Sequence, residues 1–267
     1  MAREMNVQVG TIKDLKKGTN IKDVKVPPQL RQRIKTGIPF FDFSCGMGED
    51  ESDQGLVPGT VMMLTGGPGA GKSTLFRQLA DSITSSGHVA LYNTGEESLY
   101  QVAMAVERLE LTHGFVPGQD ELVNPLLTHA DWLMEKHPKK QVFLLQDSLQ
   151  ALDDGFYKDG TTNSRTPVRC TEILTDWAKR TYGIVVFIGQ ATKGGDFAGK
   201  NAIRHTVDVH GQLYIDKDKK SDTWGERLFE VTKNRWGIAG QTIIVGMARK
   251  GLYEKGRYSI TSDSEDS

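Results

Sequence analysis

A glycine-rich stretch with a lysine and two hydroxyl groups could bind the phosphates of a nucleotide. Residues 66–74 fit the pattern G-x-x-x-x-G-K-[ST], the phosphate-binding P-loop. Glycines let such a loop turn its backbone N–H groups inward around an anion. We expect Lys72 to reach the β- and γ-phosphates and Ser73 Oγ to bind Mg²⁺. The expected binding residues are Gly66, Gly67, Pro68, Gly69, Ala70, Gly71, Lys72, Ser73 and Thr74.

The flanking sequence decides whether this pattern is more than chance. An apolar run at 61–64 precedes it, and apolar residues recur at helical spacing over 75–83. A strand, a glycine loop and a helix are the context that a P-loop needs. The sequence therefore predicts a site for a nucleoside triphosphate with Mg²⁺.

Carboxylates follow two other predicted strands. Asp147 comes after the apolar run 142–145, where an acid can organise Mg²⁺ through its water shell, although the same residue could cap a turn. Glu96 and Glu97 follow a strand that begins at Val89, and a carboxylate there can orient and deprotonate water in line with a γ-phosphate. Two acids also suit the N-terminus of a helix. We prefer Glu96 as the catalytic base because it lies nearer the strand end.

Three further polar residues follow apolar strands. Gln190 ends the run 184–188 and could contact the γ-phosphate or its water, or satisfy loose backbone groups. Lys233 and Arg235 follow the run 228–232, and residues spaced by two on a strand point the same way. They could form a solvated pair, or complete the ATP site of a neighbouring subunit as an arginine finger does.

Length and composition set the class of protein. The 267 residues are enough for one large domain, and 37% hydrophobic residues with a net charge of −1 suit a globular chain without a general positive field. Two distant cysteines, no long apolar run and no apolar signal core predict a reduced, cytoplasmic setting without membrane attachment. We expect an N-terminal arm over 1–35, a core over 36–255 and a disordered acidic tail over 256–267.

The order of elements predicts an α/β fold. Four apolar strands alternate with helices, and strands at 207–215, 226–232 and 241–248 then follow without helices between them. This pattern predicts a mostly parallel central sheet flanked by helices and extended by C-terminal antiparallel strands. Ligands in such sheets bind at the carboxyl ends of the strands. Residues 153–168 and 191–205 lack periodicity, and we expect them to be loops at that edge.

The ordered set of these motifs resembles the RecA superfamily, most closely the central ATPase domain of bacterial RadA, also called Sms. The resemblance runs from about Thr36 to Leu252 and includes the P-loop, 92–98, 147–150 and 189–193. Residues 233–237 read Lys-Asn-Arg-Trp-Gly, close to the RadA signature Lys-Asn-Arg-Phe-Gly. Several such pieces in the correct order are far more specific than the P-loop alone.

The resemblance implies a RecA-like P-loop ATPase with ATP and Mg²⁺ at the subunit interfaces of a homo-oligomer, a hexameric ring or a helical filament. It implies binding of single-stranded DNA in homologous recombination, DNA repair or branch migration, with possible helicase activity. Glu96 would be the catalytic base, Gln190 the nucleotide sensor, and Lys233 and Arg235 would act on the neighbour's γ-phosphate. The loops 153–168 and 191–205 would bind DNA. The expected DNA contacts are Lys193, Phe197, Lys200 and Arg204.

The sequence also departs from RadA. It contains neither the four-cysteine zinc finger nor the Lon-protease-like domain of that family, and Gln190 stands where RadA usually has His, so we expect a stand-alone core. Two alternatives stay open. One is an ATP-dependent assembly or regulatory protein of the KaiC type that acts on protein partners. The other is a DNA mediator that binds ATP but does not translocate.

Overall fold

One mixed nine-stranded sheet organises the chain. The computed structural model describes residues 16–157, 160–189 and 200–258. In these ranges the strands are β1 (Val61–Thr65), β2 (Val89–Thr94), β3 (Val116–Gly118), β4 (Val142–Asp147), β5 (Ile184–Ile188), β6 (Val209–Ile215), β7 (Arg227–Asn234), β8 (Thr242–Ala248) and β9 (Gly251–Tyr258). Their order is β3-β2-β4-β5-β1-β6-β7-β8-β9. The pairs from β3 to β6 are parallel, and β6 to β9 pair antiparallel. The predicted fold class is confirmed.

Helices cover both faces of the sheet. They are α1 (Pro39–Ser44), α2 (Lys72–Ser85), α3 (Leu99–Leu109), α4 (Val123–Lys136), α5 (Thr166–Thr181) and α6 (Lys200–Thr206). Buried residues of α1, α2 and α3 form one hydrophobic cluster with the sheet, and those of α4, α5 and α6 form a second. The strands between these layers are apolar without alternation because both of their faces are covered.

Helix α2 shows how the local sequence sets an element that positions the site. Gly71 precedes it with a φ of 100°, a conformation that favours glycine. Leu75, Phe76 and Leu79 then repeat at helical spacing and are buried. The helix ends at Ser85, and Gly87 follows in the left-handed region with a φ of 88°. The P-loop is thus held between a buried strand and a buried helix face.

Several elements differ from the sequence prediction. Strand β9 runs to Tyr258, so the ordered sheet extends past the predicted core boundary at 255, and residues 259–267 lie outside the described ranges. The predicted loop 191–205 includes the start of α6. In the predicted arm, Ile34 pairs with Leu56 in an isolated bridge. Over the described part of the chain, no helix is long and apolar enough to cross a membrane.

The two edges of the sheet are built differently. Strand β3 forms one edge, has three residues and carries Pro117 at its centre. Strand β9 forms the other edge and carries Lys255 and Arg257. Both cysteines, Cys45 and Cys170, are buried and free, and burial raises the pKa of Cys170 to about 12. A thiol with so high a pKa is a structural side chain at neutral pH.

Candidate active site

The carboxyl ends of the parallel strands bring the predicted phosphate and acid residues to one edge of the sheet. Strands β2 and β4 pair in register, so Thr94 lies beside Asp147. Strand β1 pairs with β5 through Leu64 and Ile188, and β5 pairs with β4. The P-loop after β1, the glutamates after β2 and the aspartate that ends β4 therefore share one edge.

The P-loop has a backbone that requires glycine at its entrance. Gly66 has a φ of 155°, and a Cβ built on it would lie 1.9 Å from the carbonyl oxygen of Leu213 on β6. Any side chain there would displace the loop or the neighbouring strand. The loop closes with a hydrogen bond of 3.2 Å from Ala70 N to Gly67 O. Its shape is thus fixed by the adjacent strand as well as by its own sequence.

Lys72 points into this loop. Its Nζ donates to the carbonyl oxygens of Gly66 at 2.8 Å and Gly67 at 3.1 Å. Burial lowers the pKa of Lys72, and the nearby charges of Asp147 and Glu96 act against that shift. The ammonium group is therefore placed in the concavity where the P-loop pattern predicts the phosphates.

Asp147 is buried beside Ser73. Its carboxylate accepts hydrogen bonds from Ser73 and, at 3.0 Å, from Tyr92 Oη. Burial raises the pKa of Asp147, and the two hydrogen bonds offset part of that shift. A hydroxyl and a carboxylate that meet next to the phosphate loop are the hard oxygen ligands that Mg²⁺ prefers. The donor set fits the predicted metal.

The adjacent glutamates have different partners. Ser148 Oγ donates to Glu96 Oε1, while Glu97 pairs with the buried guanidinium of Arg77 on α2. Thr94 Oγ1 accepts from the backbone N–H groups of both glutamates, at 3.3 and 3.4 Å. Glu96 is close enough to Lys72 and Asp147 to shift their pKa values. Of the two acids, Glu96 is the one that faces the phosphate site.

Lys233 lies away from this edge. Strand β7 is antiparallel to β6 and pairs Asn234 with Val209, so its end lies beside the start of β1. The five residues of β1 separate that point from the P-loop by roughly 15 Å at ~3.3 Å per residue. Lys233 Nζ donates to the carbonyl oxygens of Arg204, His205 and Val207 at 2.7 to 3.1 Å. It therefore satisfies the C-terminal end of α6.

Arg235 joins the same cluster. Its guanidinium donates to Asp208 Oδ1 at 3.2 Å and to the carbonyl oxygen of His205 at 2.9 Å. Asp208 is 1% exposed and also accepts from Lys179 Nζ and from the backbone of Val61. Arg235 itself is half exposed. The two cations thus cannot reach the P-loop of the same chain in this arrangement.

Part of the predicted DNA interface lies outside the described residues. Lys193 and Phe197 fall there, as does Gln190, the predicted nucleotide sensor, so the roles of all three stay predictions. Lys200 begins α6, and Arg204 is exposed on that helix. Most of helix α6 thus belongs to the segment 191–205 predicted to bind DNA, and Lys233 donates to carbonyl groups at the C-terminal end of the helix.

The sequence alone did not single out Arg77, Tyr92 or Ser148. Arg77 looked like an ordinary polar position of α2, and Tyr92 like a core aromatic. Only the dipeptide Asp147-Ser148 at a strand end carried a signal, because a hydroxyl next to a metal-organising acid can reach a neighbouring strand. The contacts of all three depend on the sheet order, since Ser148 and Glu96 are 52 residues apart.

Solved structures with the same architecture define the class. The chain resembles a DnaB-like replicative helicase with a TM-score of 0.65 and 14% identity, over 83% of this chain and 62% of that one. It also resembles a KaiC-like protein from Pyrococcus horikoshii, with a TM-score of 0.61 and 17% identity over 84% and 98% of the two chains. These likenesses concern the fold: the chain has a RecA-like P-loop ATPase fold, as predicted.

Sequence relatives point to one kind of protein within that class. The chain is 33% identical over 223 residues to the DNA repair protein RadA of Mycolicibacterium smegmatis and 32% identical over 215 residues to that of Haemophilus influenzae. These matches cover 81% and 79% of this chain but only 44% of each relative. No protein-family model matches the chain. The predicted resemblance to part of bacterial RadA is confirmed.

Proposed function

We propose that the chain is a DNA-dependent ATPase of the RecA/RadA type, which binds single-stranded DNA as an oligomer and acts in recombination, repair or branch migration. One observation carries the proposal. Lys72, Asp147 and Glu96 come from three different strand ends and converge on one site, where their charges influence one another. A cation for phosphate, an acid for Mg²⁺ and a carboxylate for water are the parts that ATP hydrolysis requires.

In this proposal each residue has a stated task. The P-loop backbone and Lys72 bind the phosphates, and Ser73 and Asp147 hold Mg²⁺, which supplies charge neutralisation at the β- and γ-phosphates. Glu96, positioned by Ser148, orients the attacking water and accepts its proton. Gln190 follows the neighbouring strand β5 and would sense the γ-phosphate.

The placement of Lys233 and Arg235 supports the oligomer in this proposal. Because these cations lie at the opposite end of β1 from their own P-loop, they would serve the γ-phosphate of an adjacent subunit. Their present partners at the end of α6 connect them to the helix that carries Lys200 and Arg204, two of the predicted DNA contacts. Lys193, Phe197, Lys200 and Arg204 would contact the DNA.

The test is the rate of ATP hydrolysis with and without single-stranded DNA. We expect DNA to raise the turnover number and the stimulation to fall steeply with salt, because DNA binding by cations releases counterions. Lys72→Ala should abolish turnover under both conditions. Turnover in wild type that ignores every nucleic acid would overturn the DNA part and favour a KaiC-like regulator. Turnover with DNA bound but no duplex opened would identify a mediator.

A further inference from the structure

We propose that Asn93 and Gln146, two amides buried in the sheet, are positioning residues for Glu96. They act through Ser148, whose carbonyl oxygen accepts a hydrogen bond from the Gln146 side chain. The inference rests on the proposed function, because it takes Glu96 as the carboxylate that orients the attacking water.

The two amides lie where the core of the sheet is otherwise apolar. Asn93 on β2 and Gln146 on β4 are partners in the register of these parallel strands, and both are fully buried. They face α4 and α5, since Leu91 and Leu144, two positions earlier on the same strands, pack in that cluster. A buried amide is costly unless it is hydrogen-bonded, and two apolar side chains would fill this place without that cost. A positioning task therefore explains the pair better than stability does.

The hydrogen bonds of the pair have one possible orientation. Asn93 Nδ2 donates to Gln146 Oε1 at 2.7 Å, and Gln146 Nε2 donates to the carbonyl oxygen of Ser148 at 2.8 Å. Asn93 Oδ1 accepts from the backbone N–H of Asp120 at 2.8 Å. A backbone N–H only donates and a carbonyl oxygen only accepts, so the two ends of this chain of hydrogen bonds fix the orientation of both amides.

Asn93 is anchored to the loop that precedes α4. Its Nδ2 also donates to the carbonyl oxygen of Asp120 at 2.9 Å, so the amide uses both of its hydrogens and holds one residue by two bonds. Gly118 on β3 lies opposite Asn93, and a Cβ built on it would be 2.7 Å from Asn93 Oδ1. Glycine at this position leaves room for the amide. The backbone beside β3 thus fixes one end of the chain of hydrogen bonds.

The other end holds the turn that carries Ser148. Strand β4 ends at Asp147, so Ser148 lies beyond the ladder of β2 and β4. Gln146 Nε2 reaches two residues ahead to the carbonyl oxygen of Ser148, which also accepts from Ala151 N at 3.1 Å. The Oγ of the same serine donates to Glu96 Oε1. A shift of the Ser148 backbone would therefore move the hydroxyl group that orients Glu96.

The experiment removes the hydrogen bond of Gln146 and keeps its volume. Gln146→Met has an unbranched side chain of similar length that cannot donate to Ser148, and its melting temperature shows whether it folds. We expect the turnover number for ATP to fall about tenfold, because a misplacement of 1 Å can cost ~10²-fold. The KM for ATP and its dissociation constant with Mg²⁺, measured by calorimetry, should stay within about twofold of wild type, because Glu96 acts on the water rather than on nucleotide binding.

Gln141→Met is the matched control. Gln141 directly precedes β4, and its Nε2 donates to the carbonyl oxygen of Tyr182 at 2.8 Å. The same substitution thus removes an amide bond at the opposite end of the strand from Ser148. This variant should keep wild-type turnover.

A double-mutant cycle tests the route through Glu96. Gln146→Met should not lower the residual turnover of Glu96→Gln any further, because residues that act through one another are not additive. A further loss in that background, a loss of ATP affinity, or wild-type turnover in Gln146→Met would each overturn the inference. If wild type does not hydrolyse ATP, the proposed function fails and the inference with it. Should Gln146→Met not fold, Gln146→Asn, whose amide is too short to reach the Ser148 carbonyl oxygen, must show the same pattern.

Discussion

At the scale of single residues, the adjacent acids Glu96 and Glu97 have different roles, which the sequence alone could not distinguish. Glu96 accepts from Ser148 and influences Lys72 and Asp147 electrostatically. Glu97 is paired with the buried Arg77. Burying a guanidinium is costly unless an opposite charge compensates it, so Glu97 stabilises the fold where α2 packs beside the end of β2. Glu96 lies instead beside Ser148, Lys72 and Asp147, at the site where the proposed function needs a carboxylate for water.

Replacing each glutamate by glutamine tests this division. We expect Glu96→Gln to lower the turnover number for ATP by about 10²–10⁴-fold, the usual effect of losing a general base. Its melting temperature should stay near that of wild type. Glu97→Gln should keep most of the turnover but lose about 1–3 kcal/mol of unfolding free energy, because a buried charged donor loses its partner. A folded, thermally stable Glu97→Gln protein without turnover would reverse the assignment.

At the scale of elements, the sequence predicted the strands and helices that long apolar runs or a recognisable motif mark. Strands β1, β2, β4 and β5 were found because both faces are covered and the runs are continuous. Strand β3 was not predicted because it has only three residues, one of them proline. Helix α6 was not predicted because it has only seven residues and depends on Lys233 of β7, which donates to carbonyl groups at its end. Such tertiary support leaves no local pattern.

The candidate site also contains residues that the sequence predicted and partners that it did not. Lys72, Asp147 and Glu96 were predicted because each follows a recognisable strand, and the structure brings them together. The partners that fix them could not be predicted, since Ser148 and Arg77 reach their glutamates across 52 and 20 positions of the chain. The sheet order that creates these contacts is a global property of the fold.

The contacts of Lys233 predict how α6 depends on β7. In Lys233→Met we expect faster hydrogen exchange at the amide of Val207, which donates to Ile203 O at 3.0 Å, because the carbonyl groups at the helix end lose their cation. The rate should rise at least about fivefold, since each lost charge-assisted bond contributes ~1 kcal/mol or more. Lys250→Met, which removes an exposed lysine paired with Glu110, is the control. Equal exchange in both variants would refute the dependence.

At the scale of the whole molecule, the opposite ends of β1 carry the two halves of the proposed hydrolytic site. The P-loop follows the strand, and the cluster of Lys233, Arg235 and Asp208 lies where the strand begins. One subunit cannot join these halves, but head-to-tail neighbours can. Such a contact is heterologous and gives a ring if it closes, or a filament if it does not.

Mixing inactive variants tests this arrangement. Arg235→Ala and Lys72→Ala should each lack ATP turnover. The first variant cannot supply a cation to the adjacent subunit's γ-phosphate, and the second lacks the lysine that binds the phosphates of its own site. An equal mixture should recover about a quarter of wild-type turnover, because that fraction of sites pairs an intact Lys72 with a neighbour's intact Arg235. Arg180→Ala, at an exposed arginine of α5, should retain full turnover when alone. Wild-type turnover in Arg235→Ala alone would exclude the shared site.

The edges of the sheet bear on how copies of this chain stay dispersed at high concentration. A flat, unprotected edge strand is a template for fibrils, and natural sheets blunt such edges with proline, short strands and charge. This sheet protects one edge with Pro117 in the short strand β3 and the other with Lys255 and Arg257 on β9. If copies of this chain associate as proposed, protected edges would let them separate again without starting an aggregate.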